Sequence, residues 1–120
     1  MAKETKSFDV RVLVYREDSE WTALALEMDV RGYGLDPETA VRDLCDMLVA
    51  QVSFAVQQGH PESVWHHADE KYWAMFEEAR RNLFIAEVSG AELPPEPFAD
   101  IVSLPLVALK HRDEWIAARA

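Results

Sequence analysis

The chain has 120 residues, of which 49% are hydrophobic and 28% charged, and its net charge at pH 7 is −10. This length corresponds to about one domain that can bury roughly two-thirds of its unfolded surface, and the hydrophobic fraction favours a packed core over disorder. The acidic balance disfavours direct nucleic-acid binding, because negative charges repel the phosphate backbone, and it would instead steer a basic protein towards the surface.

The sequence also lacks the signals of secretion and of membrane insertion. Cys45 is the one cysteine, so no internal disulfide can form, which fits a reducing compartment. No apolar run follows the first six residues, and none approaches the ~18 apolar residues of a membrane-spanning helix. We therefore expect a soluble cytoplasmic protein without membrane contact.

Two runs of alternating residues predict a β-hairpin at the start of the chain. Apolar residues occupy the even positions from Phe8 to Val14 and again from Leu24 to Val30. Because opposite residues in a hairpin share a face, even positions should pair with even positions, which requires a loop of three or five residues. The odd-numbered face is also apolar, so another element or a partner should cover it.

A glycine-containing corner follows the hairpin within residues 29–40. Gly32 and Gly34 would let the backbone adopt a positive φ as it leaves the strand. A phosphate-binding loop is disfavoured because there are two glycines rather than three, Tyr33 separates them and no lysine follows. We interpret the glycines as residues that shape the turn.

A long amphipathic helix is predicted to begin after this corner. Asp36 is placed to cap the helix, and Pro37 fits its first position, where the missing N–H costs nothing. The apolar periodicity continues to Gln58, and Gly59 is the predicted C-terminal stop. The apolar stripe of this helix, which includes Val52, should pack on the even-numbered face of the hairpin.

The remaining chain predicts a second helix and a late strand. Residues 61–87 contain a connector and an amphipathic helix that begins near Asp69, the expected cap. Residues 88–97 form a stiff, Pro-rich spacer. Residues 98–109 return to strand-like composition, and Pro105 places this strand at a sheet edge because proline cannot donate to a ladder.

These elements predict an α+β fold. A small antiparallel sheet would carry the long helix on one face, accompanied by the second helix and the late edge strand. The hairpin and the long helix, at residues 8–58, would form the core of a single domain spanning residues 1–120.

Catalytic groups are sparse in this sequence. Cys45 lies on the apolar stripe between Asp43 and Asp46, whose negative charges disfavour a reactive thiolate. Glu77 and Glu78 lack an apolar pocket that would make one an acid and the other a base. We predict no catalytic residue, no cofactor and no enzymatic activity.

The histidines His60, His66 and His67, near Glu62 and Asp69, form the one cluster that suggests a metal. Adjacent histidines point to different sides of a helix or strand, and the spacing that puts two imidazoles on one helical face is missing. We predict no metal site. A small metal- or ligand-binding protein that uses the connector from His60 to Asp69 remains an alternative.

The hairpin, the corner at Gly34, the cap at Asp36 and the helix opening Glu-Thr-Ala at residues 38–40 form a recognisable arrangement. It resembles the amino-terminal domain of HicB-like antitoxins, in which two strands lead through a glycine corner into a helix with a Glu-Glu-Ala-like start. The resemblance covers about residues 8–58, and its motifs are structural.

The resemblance implies a small sheet backed by a helix, often dimeric, that binds and blocks a small basic RNA-cleaving toxin. Many family members also carry a DNA-binding module, but no basic helix-turn-helix or ribbon-helix-helix pattern follows residue 60 here. We therefore expect a non-enzymatic, HicB-like protein-binding module, either antitoxin-like or an orphan of that family. An accessory subunit of a larger assembly is a further alternative.

The expected partners are a second copy of the chain, with a homodimer favoured, and a small basic toxin-like protein. Aromatic and methionine side chains that exceed the needs of the core are typical anchors of such interfaces. The predicted contact residues are Tyr15, Trp21, Met47, Phe54 and Trp73.

Overall fold

The computed structural model describes residues 7–105, which form a four-stranded antiparallel sheet and two long helices. The elements in chain order are β1 (Ser7–Glu17), β2 (Glu20–Ala25), β3 (Val30–Gly34), α1 (Pro37–Gln57), a 3-10 turn (Pro61–Val64), α2 (Glu70–Ser89) and β4 (Phe98–Pro105). The strand order is β3-β2-β1-β4, so the late strand lies at an edge, beside β1. The predicted α+β fold is confirmed. Residues 106–109 of the predicted late strand lie outside the described residues.

A helix covers each face of the sheet. On one face, Val10, Val12 and Val14 of β1 pack against Leu44 and Leu48 of α1 in one fully buried cluster. On the other face, α2 contributes the core of a second cluster, which contains its Phe76 together with side chains from β1 and β2. The apolar odd-numbered face is therefore covered by a helix of the same chain.

The register of the hairpin differs from the prediction. Only Asp18 and Ser19 separate β1 from β2, and Val14 pairs with Ala23. Even positions of β1 therefore pair with odd positions of β2. Asp18 has a φ of 58°, the left-handed conformation that two-residue hairpin turns require and that aspartate tolerates. The parity argument was wrong because it assigned the larger side chains of β2 to the α1 face.

As a result, the second apolar run serves both faces. Leu24 and Leu26 are fully buried, but they lie beneath α2, whereas Ala23 and Ala25 face α1. The run is also two elements rather than one strand. The chain turns after Ala25, Asp29 adopts a φ of 53°, and β3 returns alongside β2.

Gly32 lies where β3 passes beneath α1. A Cβ added at this position would lie 2.6 Å from the carbonyl oxygen of Ala40 and 2.6 Å from the Cα of Leu44. Of the four glycines, Gly59 and Gly90 are those with positive φ. The predicted positive φ at the corner glycines is therefore wrong, and what Gly32 provides is room for close approach.

The ends of both helices follow from local chemistry. Asp36 Oδ1 accepts a hydrogen bond from the N–H of Thr39 at 2.8 Å, and this bond holds the pKa of Asp36 below its ordinary value. Gly59, with a φ of 78°, follows the end of α1 as predicted. At α2, Asp69 is the N-cap, and Gly90 ends the helix in the left-handed conformation.

Replacing Gly32 with alanine should lower the free energy of unfolding by about 1–3 kcal/mol, because the new Cβ would push α1 away from β3. Urea unfolding measures this change. Gly59→Asn is the matched control, since nothing lies within 4 Å of its added Cβ and asparagine tolerates a left-handed backbone. A Gly32→Ala protein as stable as this control would contradict the tight contact.

Candidate functional site

Three of the five predicted contact residues pack within the fold. Tyr15 stacks on Tyr72 of α2, with ring centroids 6.0 Å apart. Trp21 packs against the cluster on the α1 face, and its ring centroid lies 6.2 Å from that of Phe98 in β4. Trp73 packs against the cluster on the α2 face. These half-buried rings connect the helices and β4 to the sheet.

The other two predicted contact residues, Met47 and Phe54, lie on the outer side of α1. Met47 is 42% exposed and Phe54 is 63% exposed. Together with Asp43 and Ala50 they recur at helical spacing and so share one stripe, which we call the outer α1 stripe. Phe54 also borders a surface cavity of about 280 Å³ between α1 and Val64 of the 3-10 turn. This arrangement offers an aromatic anchor beside a shallow pocket.

A second exposed apolar group was not among the predicted contacts. It occupies the C-terminal half of α2 and the segment that follows, and we call it the α2 apolar surface. Its members, with exposed fractions, are Leu83 (39%), Phe84 (66%), Ile85 (46%), Val88 (70%) and Leu93 (40%). The sequence signal for this surface was the run of three apolar residues at positions 83–85. A helix with one buried face needs apolar residues only along one stripe, so such a run leaves some of them exposed.

The start of α2 is held by an aromatic and cationic cluster. The guanidinium of Arg31 lies 5.4 Å from the ring centroid of Tyr72, and it also forms an ion pair with Asp29 at 3.0 Å. Burial raises the pKa of Tyr15, and the hydrogen bond with Arg31 offsets part of that rise. The cluster therefore fixes α2 on β1 and β3.

The connector before α2 is held by backbone bonds to the β2–β3 turn. The N–H of His66 donates to the carbonyl of Glu27 at 3.0 Å, and the N–H of Ala68 donates to that of Leu26 at 2.9 Å. His67 stacks on Trp73, with ring centroids 4.9 Å apart. Within residues 7–105, no three histidine, cysteine or acidic side chains are grouped so that they could hold a metal ion.

Charge over the described residues is strongly one-sided. Residues 7–105 contain 19 aspartates and glutamates against 7 lysines and arginines, a net charge of −12. Three of the arginines are already paired with carboxylates at 2.8–3.0 Å, namely Arg11 with Glu27, Arg31 with Asp29 and Arg42 with Glu38. The electrostatic field that the excess carboxylates produce is negative and would attract a positively charged partner.

The free energy of unfolding should fall as the pH rises above ~10, because burial favours the neutral phenol of Tyr15 in the folded state. A raised folded-state pKa contributes stability that is fully present below the unfolded value and is lost as the pH rises through the folded one. Tyr15→Phe should make this alkaline decline shallower, as measured by urea unfolding at pH 7 and pH 11. An unchanged decline would show that Tyr15 is not the group responsible.

No helix within residues 7–105 is long and apolar enough to cross a lipid bilayer. The chain matches no model of a protein family, no curated protein and no solved structure.

Proposed function

We propose that this chain is a non-enzymatic, HicB-like protein-binding module of the cytoplasm, which forms a homodimer and binds a small basic protein, as antitoxins of that family do. The observation that carries the proposal is the outer α1 stripe. Met47 and Phe54 remain exposed there, whereas the apolar residues of α1 that face the sheet are buried, namely Ala40, Leu44, Leu48, Val52 and Ala55. Exposed aromatic and methionine side chains are preferred anchors of protein interfaces.

The charge around this stripe supports a basic partner. Asp43 and Asp46 lie on the same exposed side of α1, one turn before Met47 and Ala50. A positively charged protein would be steered by the net charge of −12 and could then insert an apolar group into the cavity beside Phe54. Apolar anchors would supply affinity, while the acidic rim would supply association rate and selectivity.

The corner between β3 and α1 also supports the proposal. Asp36 caps α1, and the glycines of the corner let β3 and the helix pack closely. This is the local arrangement on which the resemblance to HicB-like antitoxins rests. DNA binding is not part of the proposal, because no basic helix-turn-helix or ribbon-helix-helix pattern follows residue 60.

The proposal is tested by co-expressing the chain with the small basic product of a flanking reading frame. We expect the two proteins to co-purify, the complex to weaken as salt rises, and any RNA cleavage by the partner to stop on binding. Absence of a complex with any such product at 100 µM, in low salt, would overturn the antitoxin-like role.

Within such a complex, Phe54→Ser should weaken binding at least tenfold, or about 1.4 kcal/mol, because it removes the anchor from the pocket rim. Isothermal titration calorimetry measures the change. Leu35→Ser is the matched control, since Leu35 is 84% exposed but lies outside the outer α1 stripe. Equal losses in both variants would argue against this stripe as the binding surface.

A further inference from the structure

The backbone of β4 has one edge that no other described strand pairs with. Arg11 identifies the side of β1 that faces β2. Its carbonyl accepts a hydrogen bond from the N–H of Leu26, and its N–H donates a hydrogen bond to the carboxylate of Glu27. Odd residues of β1 therefore bond towards β2, and even residues bond towards β4. Because Val10 pairs with Val102, the even residues of β4 face β1 and its odd residues face outwards.

A hydrogen bond within β4 agrees with this parity. The N–H of Ile101 donates to the carboxylate of the adjacent Asp100 at 2.8 Å, so it is directed away from β1. The outward groups are thus the N–H and C=O of Ala99, Ile101 and Ser103. Pro105 is also an odd, outward-facing residue of β4, so its missing N–H removes no hydrogen bond between β4 and β1.

This edge lacks the usual protection against strand pairing. Exposed edges are normally blunted by lysines, bulges or central prolines, but the register of β4 with β1 is unbroken from Phe98 to Pro105. Asp100 is its one charged residue. In a molecule with a net charge of −12 over its described residues, two copies can approach here with little repulsion between facing strands.

The C-terminal half of α2 extends past the same edge. α2 begins over β3 and β1, where Tyr72 contacts Arg31 and Tyr15, and it reaches β4 at Ala79 and Leu83, which border a cavity with Ala99. The six residues that remain span about 9 Å at ~1.5 Å each. Neighbouring strands lie about 4.8 Å apart. The C-terminal end of α2 therefore projects over the position of one or two further strands.

We propose that this position is occupied by β4 of a second copy, paired antiparallel about a two-fold axis at Ile101. The two sheets would then form one continuous sheet, and the C-terminal end of each α2 would extend over the strand of the other copy. This inference rests on the self-association in the proposed function and names its surface.

Side-chain charge selects the register. With the two-fold axis at Ile101, each Ile101 pairs with Ile101 of the other copy. Ala99 then pairs with Ser103 of the other copy, and Asp100 faces Val102. A shift that centres the axis on Asp100 would place two carboxylates directly opposite each other, which is destabilising. Ile101, 58% exposed in the single chain, becomes covered by its own copy.

Disulfide trapping tests the register. In a Cys45→Ala background, Ile101→Cys places two thiols on residues whose Cα atoms lie about 5.5 Å apart, a distance that disulfides span. We expect mild oxidation to convert most of the protein into a covalent dimer. Ser103→Cys alone should not crosslink, but it should do so when mixed with Ala99→Cys. Crosslinking of Ser103→Cys with itself, or none at Ile101→Cys, would overturn the register.

Sedimentation equilibrium tests the interface itself. The wild-type chain, of 13.7 kDa, should sediment at twice that mass. Ile101→Lys should raise the dimer dissociation constant at least 100-fold, because it places two ammonium groups opposite each other. Leu35→Lys adds the same charge at another exposed position and should remain dimeric.

The outcomes separate this inference from the proposed function. An Ile101→Lys protein that is monomeric but still binds the basic partner supports both. A dimer that is unaffected by Ile101→Lys overturns the β4 interface and leaves self-association standing. A wild-type monomer at high micromolar concentration overturns both self-association and the β4 interface. If the Ser103 amide of that monomer is also protected from hydrogen exchange, another part of the same chain covers the edge.

Discussion

The contact between the backbone of Gly32 and α1 determines where the long helix lies. Because a hydrogen replaces a side chain at this point, α1 can pack directly on β3 and β2. The same position leaves the β4 end of that face less covered. A surface cavity of about 440 Å³ opens there, bordered by Pro37 and Val41 of α1 and by Phe98 of β4. The second helix covers the opposite face, where it reaches β4 at Ala99.

Local chemistry made the helix ends predictable. Asp36 and Asp69 cap the first turns of their own helices, and Gly59 follows the end of α1 in the left-handed conformation. Each acts within a few residues of itself, so the sequence alone specifies these helix ends. The hairpin register could not be predicted in this way. Ala23 and Leu24 are both apolar, so the pattern does not decide whether the odd or the even residues of β2 face α1. What decided it was the left-handed backbone at Asp18, which permits a loop of two residues. Periodicity identifies a strand, but it cannot choose a face when both faces are buried.

The candidate site was predictable only in part for a related reason. A tyrosine or tryptophan that stacks inside a domain and one that anchors a partner have the same composition signal, since both remove a ring from water. Tyr15, Trp21 and Trp73 proved to pack on other elements of the chain, whereas Met47 and Phe54 are exposed. The α2 apolar surface escaped prediction because its Leu83 also fits the buried stripe of α2.

The two-residue loop at Asp18 and Ser19 also constrains how this chain can vary in length. If the turn keeps two residues, inserting or deleting one residue in the hairpin would exchange the two faces of β2, moving Leu24 towards α1 and Ala23 towards α2. The leucine would then collide with a helix that packs closely at Gly32, while a void would open beneath Phe76. Among divergent descendants of this sequence that keep a two-residue turn, length changes in the first hairpin should therefore come in pairs of residues.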